Sequence, residues 1–122
     1  MILADTSVWI DHLRKGEPAL ADILLRSQTL IHPFILGELA LGSLKRRESV
    51  LGALANLPQT AVATDAEVLR AIDQWKLSGT GIGYMEAHLL AATALTPDTE
   101  LWTRDKRLRE VAERLSLHAG LT

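Results

Sequence analysis

Four acids in this chain stand where a carboxylate could do chemistry: Asp5, Glu38, Glu86 and Asp105. Asp5 ends the apolar run Ile2-Leu3-Ala4, Asp105 comes just after Leu101-Trp102-Thr103, and each opens a helical pattern. An apolar run that stops at an acid is how a buried parallel strand looks where its carboxyl end opens, and ligands of open α/β sheets bind outside that edge. Glu38 and Glu86 lie inside otherwise apolar helical patterns, each near a glycine-containing segment and with no basic residue three or four positions away. A carboxylate packed into an apolar helix needs a partner, a proton or a metal. Four converging acids repel one another and raise at least one pKa unless a divalent cation neutralises them. Oxygen-only ligation selects Mg²⁺ or Mn²⁺ over zinc. Such a site suits phosphodiester hydrolysis, because the ion polarises the phosphate, acidifies water and stabilises the leaving oxygen. The plainer alternative makes Asp5 and Asp105 independent caps and leaves Glu38 and Glu86 as exposed helix residues.

The elements that must position these acids alternate along the chain. Thr6 and Ser7 are expected to cap a helix with Trp9, Ile10 and Leu13 on its apolar face. Helical spacing resumes over Pro18 to Leu25, with proline near the first turn, and Thr29 to His32 reads as a second strand. A helix is expected from Phe34 to Leu44, in which Gly37 and Gly42 each cost about 1 kcal/mol and so suggest close backbone packing. Lys45 to Glu48 form a charged corner before a helix through Val50, Leu51 and Leu54. Thr60 to Thr64 is a third strand candidate, with Asp65 capping the helix that follows. The glycine-rich stretch Ser78 to Gly83 leads into a long apolar helix from Tyr84 to Leu95. Glu100 to Thr103 is a fourth strand, and a last helix bearing Leu108, Val111, Ala112 and Leu115 leads to a short fifth strand around Leu117. The alternation predicts an α/β fold with a mostly parallel sheet of four to five strands and helices on both faces.

The chain's 122 residues, 48% hydrophobic, suit one domain that buries roughly two-thirds of its unfolded surface. Cysteine is absent, which excludes disulfides, thiolate-bound zinc and thiol catalysis. Neither a signal-peptide pattern nor an apolar run near the ~20 residues of a membrane span is present, so a cytoplasmic protein without a membrane partner is expected. The formal net charge of -2 argues against coating nucleic acid by charge alone. With four of fifteen acids committed to cations, however, eleven face thirteen Lys and Arg, a mildly positive outer surface suited to a small RNA-processing enzyme.

Four ordered segments carry a family resemblance. They are Asp5-Thr6-Ser7-Val8-Trp9-Ile10-Asp11, Gly37 to Gly42, Gly81-Ile82-Gly83-Tyr84-Met85-Glu86-Ala87-His88 to Ala91, and Leu101-Trp102-Thr103-Arg104-Asp105-Lys106-Arg107-Leu108. In that order they resemble the motifs of PIN-domain ribonucleases of the VapC toxin type, and the resemblance spans nearly the whole chain. It implies a single PIN domain over residues 1–122, built as a three-layer α/β/α sandwich. It implies the toxin of a type II toxin-antitoxin pair, which cuts RNA with Mg²⁺ or Mn²⁺, acts as a homodimer and is silenced by a cognate antitoxin whose tail covers the site. Asp5, Glu38 and Asp105 match the family's metal-binding acids, and Thr103 matches a hydroxyl placed beside them. One position departs: the third acid is ordinarily Asp and here is Glu86, whose extra methylene carries the carboxylate about one bond length further into a site where Mg²⁺ demands near-octahedral geometry.

Other polar residues carry weaker signals. Thr6 and Ser7 read as caps rather than nucleophiles, because no His or Lys is spaced to activate them. His88 lies two positions from Glu86 and so faces elsewhere on a helix, and His12, His32 and His118 lack ligand spacing. Candidate phosphate contacts are Arg14, Lys15, Lys45, Arg46, Arg47, Arg104, Lys106 and Arg107. Two competing functions remain: an aspartyl-nucleophile phosphotransferase or dehalogenase, which wants an acid where Ser7 stands, and a non-catalytic PIN-like module that binds RNA or protein.

Overall fold

The computed structural model describes all residues from Met1 to Thr122. Its first strand, β1 (Ile2–Ala4), is the middle of a three-stranded parallel sheet. Two helices, α1 (Thr6–Lys15) and α2 (Pro18–Leu25), lead from it to β2 (Thr29–Leu30). Four more follow: α3 (Pro33–Leu41), α4 (Arg47–Ala55), α5 (Asp65–Gln74) and α6 (Tyr84–Leu95). The chain then enters β3 (Glu100–Trp102) and ends with α7 (Lys106–Arg114). The sheet order is β2-β1-β3, with Leu3 opposite Leu30 on one side and Leu101 on the other. Leu3, Ala4 and Leu101 are fully buried, as expected for strands covered on both faces. No helix is long and apolar enough to cross a membrane.

Four to five strands were expected and three form. Gln59, just before Thr60 to Thr64, and His118, in the segment around Leu117, each form a single parallel bridge, with Ile31 and Leu101. The first departs early because Ala61 donates its N–H to the Thr96 hydroxyl at 3.0 Å, and Thr64 is already committed to the next helix. Thr64, not Asp65, caps α5: its hydroxyl accepts from the Glu67 N–H at 3.1 Å while Glu67 accepts the Thr64 N–H at 2.9 Å. Asp65 is thereby left to accept from Tyr84 Oη at 2.8 Å and to meet His88 Nε2 at 3.1 Å.

Two expectations about α3 are also corrected. The helix stops at Leu41 because Gly42 turns its N–H back to the Leu39 carbonyl at 3.1 Å. Gly37 has open space where a Cβ would stand, so no second backbone approaches it. At the other end His32 caps the helix, its Nδ1 accepting from the Phe34 N–H at 3.0 Å.

His32 is fully buried, and desolvation, followed by the charge of His88, holds its pKa down to about 4. An unfolded His takes its proton near 6.5, so between those values the unfolded chain binds more protons and stability is lost as pH falls. His32→Asn keeps a capping acceptor and removes this titration. It is expected to reduce the loss of unfolding free energy between neutral pH and pH 4.5 by roughly 2 kcal/mol. Urea titrations of both chains across that range test it, and parallel pH curves would refute it. The buried Asp5 and the Glu86 carboxyl, both raised, act in the opposite direction, so the difference between variants is the informative quantity.

Candidate active site

The site begins with register. Ala4 pairs with Trp102, so the next residues, Asp5 and Thr103, leave adjacent strands side by side at the carboxyl edge. The Asp5 N–H bonds to the Trp102 carbonyl at 2.9 Å. Asp5 is only 6% exposed and is itself the cap of α1, accepting from the Val8 N–H at 3.3 Å. Thr6 and Ser7 are not caps; they sit in the first turn of α1 and serve the acids. Ser7 donates its hydroxyl to Asp5 Oδ1 and accepts the Arg104 N–H at 3.0 Å. Thr103, fully buried, donates to Asp5 Oδ2 and accepts the Asp105 N–H at 3.1 Å. The two hydroxyls thus hold Asp5 and tie it to the turn that carries Asp105. Burial pushes the Asp5 carboxyl above the ordinary carboxylate range, against the pull of its bonds from Ser7, Thr103 and Val8.

The other acids surround this point from three helices. Glu38 is exposed on α3 and accepts from the Thr6 hydroxyl at 2.9 Å. Asp105 is exposed and caps α7 through the Leu108 N–H at 2.9 Å. Glu86, partly buried in the first turn of α6, accepts the Gly83 N–H at 2.8 Å. Desolvation raises the Glu86 pKa, the Gly83 bond lowers it, and the negative charges of Asp105, Asp5 and Glu38 raise it further. All four acids therefore share one electrostatic neighbourhood, and no salt bridge reaches any of them. The burial expected for Glu38 is absent, because the α3 face that carries it opens to solvent.

No three acidic or imidazole side chains are drawn together into a finished ion site. The donor set nonetheless fits a hard divalent cation. Glu38, Glu86 and Asp105 each commit one oxygen to a hydrogen bond and keep the second free. Glu38 and Asp105 are exposed, so core packing fixes neither side chain.

Sequence reasoning missed Ser7 and Thr6 as supports, although an acid followed at once by two hydroxyl residues at a helix start was the available signal. It also offered Arg104 as a phosphate contact. The structure spends that side chain internally: Nη1 meets Asp11 at 2.6 Å, Nη2 meets Glu17, Nε donates to the Thr122 carbonyl at 2.9 Å, and the guanidinium stacks 5.5 Å from the Trp102 ring centre. These bonds hold the Asp11 and Glu17 carboxyls below their usual range. His88, as expected, faces away from the acids, toward Asp65. Beside Glu38 a cleft of about 760 Å³ opens between α1 and α3, with Ile10, Leu13, Leu39 and Val50 on its walls and Arg14 and Lys45 among its lining.

A parallel sheet whose middle strand ends in a buried Asp, with three further acids on the elements around it, fits a PIN-type α/β protein. The chain belongs to the PIN-domain family, which it matches over residues 2–114, and is of the VapC type within it. It is 50% identical to Ribonuclease VapC32 of Mycobacterium tuberculosis strain H37Rv over 109 residues, which cover 89% of this chain and 88% of that protein. The same figures hold for Ribonuclease VapC32 of strain CDC 1551.

Proposed function

We propose that this chain is a metal-dependent endoribonuclease: a single PIN domain over residues 1–122 that acts as the toxin of a toxin-antitoxin pair in the cytoplasm. The observation that carries the reading is a buried Asp5 at the carboxyl end of the middle strand, with Asp105, Asp5 and Glu38 close enough to add to the raised Glu86 pKa and no salt bridge to any of the four. Likeness to a protein named as a ribonuclease supports it. In this reading Asp5, Glu38, Glu86 and Asp105 present carboxylate oxygens to Mg²⁺ or Mn²⁺. Bound there, the ion supplies positive charge that polarises the phosphate and eases deprotonation of the attacking water. Thr103 and Ser7 are positioning residues that fix both Asp5 oxygens through hydrogen bonds.

Two surface features support an antitoxin and a second copy of the chain as partners. The cleft next to Glu38 offers apolar walls with Arg14 and Lys45 in its lining, which suits an antitoxin segment with apolar anchors and acidic flanks. Leu41, 91% exposed at the end of α3, is an apolar side chain that homodimer formation would cover.

Glu86 provides the test. If it holds the ion, its charge matters more than its length. Glu86→Asp is then expected to keep cleavage or raise it, while Glu86→Gln weakens both metal affinity and rate by about tenfold or more, ~1.4 kcal/mol. Mn²⁺ titrations of cleavage on total RNA compare the three chains. Matching curves for the wild type and Glu86→Gln would put Glu86 outside the site, and a wild-type chain that leaves RNA intact with Mn²⁺ would favour the binding-module reading.

A further inference from the structure

Gly81 has a left-handed backbone, φ +85°, and the side of it that lacks a side chain is filled by Arg107. A Cβ built there would stand 2.8 Å from Arg107 Nη1, 2.9 Å from its Cδ and 3.2 Å from its Cζ. Glycine is therefore required for its conformation, and the room it leaves is taken by the end of the Arg107 side chain. Arg107 is the second residue of α7, two positions after Asp105. Gly81 is two positions before Gly83, whose N–H holds Glu86. The guanidinium is thus seated between the segments that present Glu86 and Asp105.

That seat is made of backbone, not of charge. Arg107 is exposed and enters no salt bridge, whereas Arg104, three residues earlier, is shared between Asp11 and Glu17. The first turn of α7 carries two cations, Lys106 and Arg107, directly after the capping Asp105. A guanidinium packed beside Gly81 with its donors free, near a helix N-terminus, matches the bidentate geometry of a phosphate diester. An acid-lined site also needs such a group nearby, because the carboxylates repel an RNA backbone.

We propose that Arg107, seated on Gly81, is a substrate-contacting residue that grips an RNA phosphate beside the acidic cluster. The inference rests on the ribonuclease reading and deepens it by naming how the backbone is held. Its test measures binding of a fluorescein-labelled, mixed-sequence single-stranded RNA oligonucleotide to the full chain in EDTA, over a KCl series. Cleavage kinetics are measured separately with Mn²⁺.

Arg107→Ala should lower the slope of log affinity against log salt by about 0.7, one single-strand phosphate contact, and raise KM more than it lowers kcat. Arg107→Lys should keep the slope. Gly81→Ala should weaken binding with all charges retained, by displacing the guanidinium. Arg26→Ala, which removes an equal charge from a surface pair with Asp22, should leave the slope unchanged. A wild-type slope in a folded Arg107→Ala, or an equal drop in Arg26→Ala, overturns the proposal while leaving the ribonuclease reading intact. A wild-type chain that neither binds this RNA nor cleaves total RNA overturns both.

Discussion

Asp5→Asn is expected to reduce RNA cleavage by at least about 100-fold, ~2.7 kcal/mol of transition-state stabilisation, while leaving the fold as stable as before or more so. Asp5 is the acid with the least freedom: it is buried, it ends the middle strand, and both its oxygens are held by hydroxyls. Its raised pKa means that the folded chain bears a cost in keeping it ionised at neutral pH, a cost that an amide does not carry. Asn preserves the shape, and the Ser7 and Thr103 hydroxyls can rotate to donate or accept. Cleavage of a total RNA pool beside a thermal melt checks both halves. A folded Asp5→Asn chain with undiminished cleavage would remove Asp5 from the mechanism.

Removal of divalent metal is expected to stop cleavage completely, and Mn²⁺ or Mg²⁺ to restore it. The same addition should raise the melting temperature of the wild type, because a cation that binds the folded chain stabilises it and offsets the negative charges of Asp105, Asp5 and Glu38 around Glu86. In Asp5→Asn the thermal shift should shrink, since the buried ligand that anchors the ion has lost its charge. Melts and cleavage time courses with EDTA and with graded Mn²⁺ measure both effects. Full activity in excess EDTA, with the metal-free state confirmed by elemental analysis, would falsify the metal-dependent mechanism.

Much of this was legible in the chain. The run Ile2-Leu3-Ala4 before Asp5 marked a buried parallel strand, and α2 and α6 occupy the expected limits, Pro18–Leu25 and Tyr84–Leu95. Proline, glycine and a lasting helical period are signals carried by neighbours, so they survive without knowledge of the fold. The four ordered acidic motifs pointed to the family that the comparisons then showed.

What the sequence could not decide depends on residues far apart along the chain. Thr103 reaches Asp5 across 98 positions, Arg104 is taken by Asp11 and Glu17, and Arg107 fills the space left by Gly81. Each follows from strand register or helix packing, which bring distant segments together and have no local signature. Cap identity was also misread, at Thr6 and Ser7 and at Asp65, because several residues at a helix start can accept the same N–H and their neighbours in space choose among them. By itself the sequence determined the class of fold and singled out four candidate acids, through burial pattern and residue type. The tertiary structure alone decided which hydroxyls hold Asp5 and that Arg104 is paired while Arg107 is not, because hydrogen bonds and ion pairs act over a few ångströms in space, not along the chain.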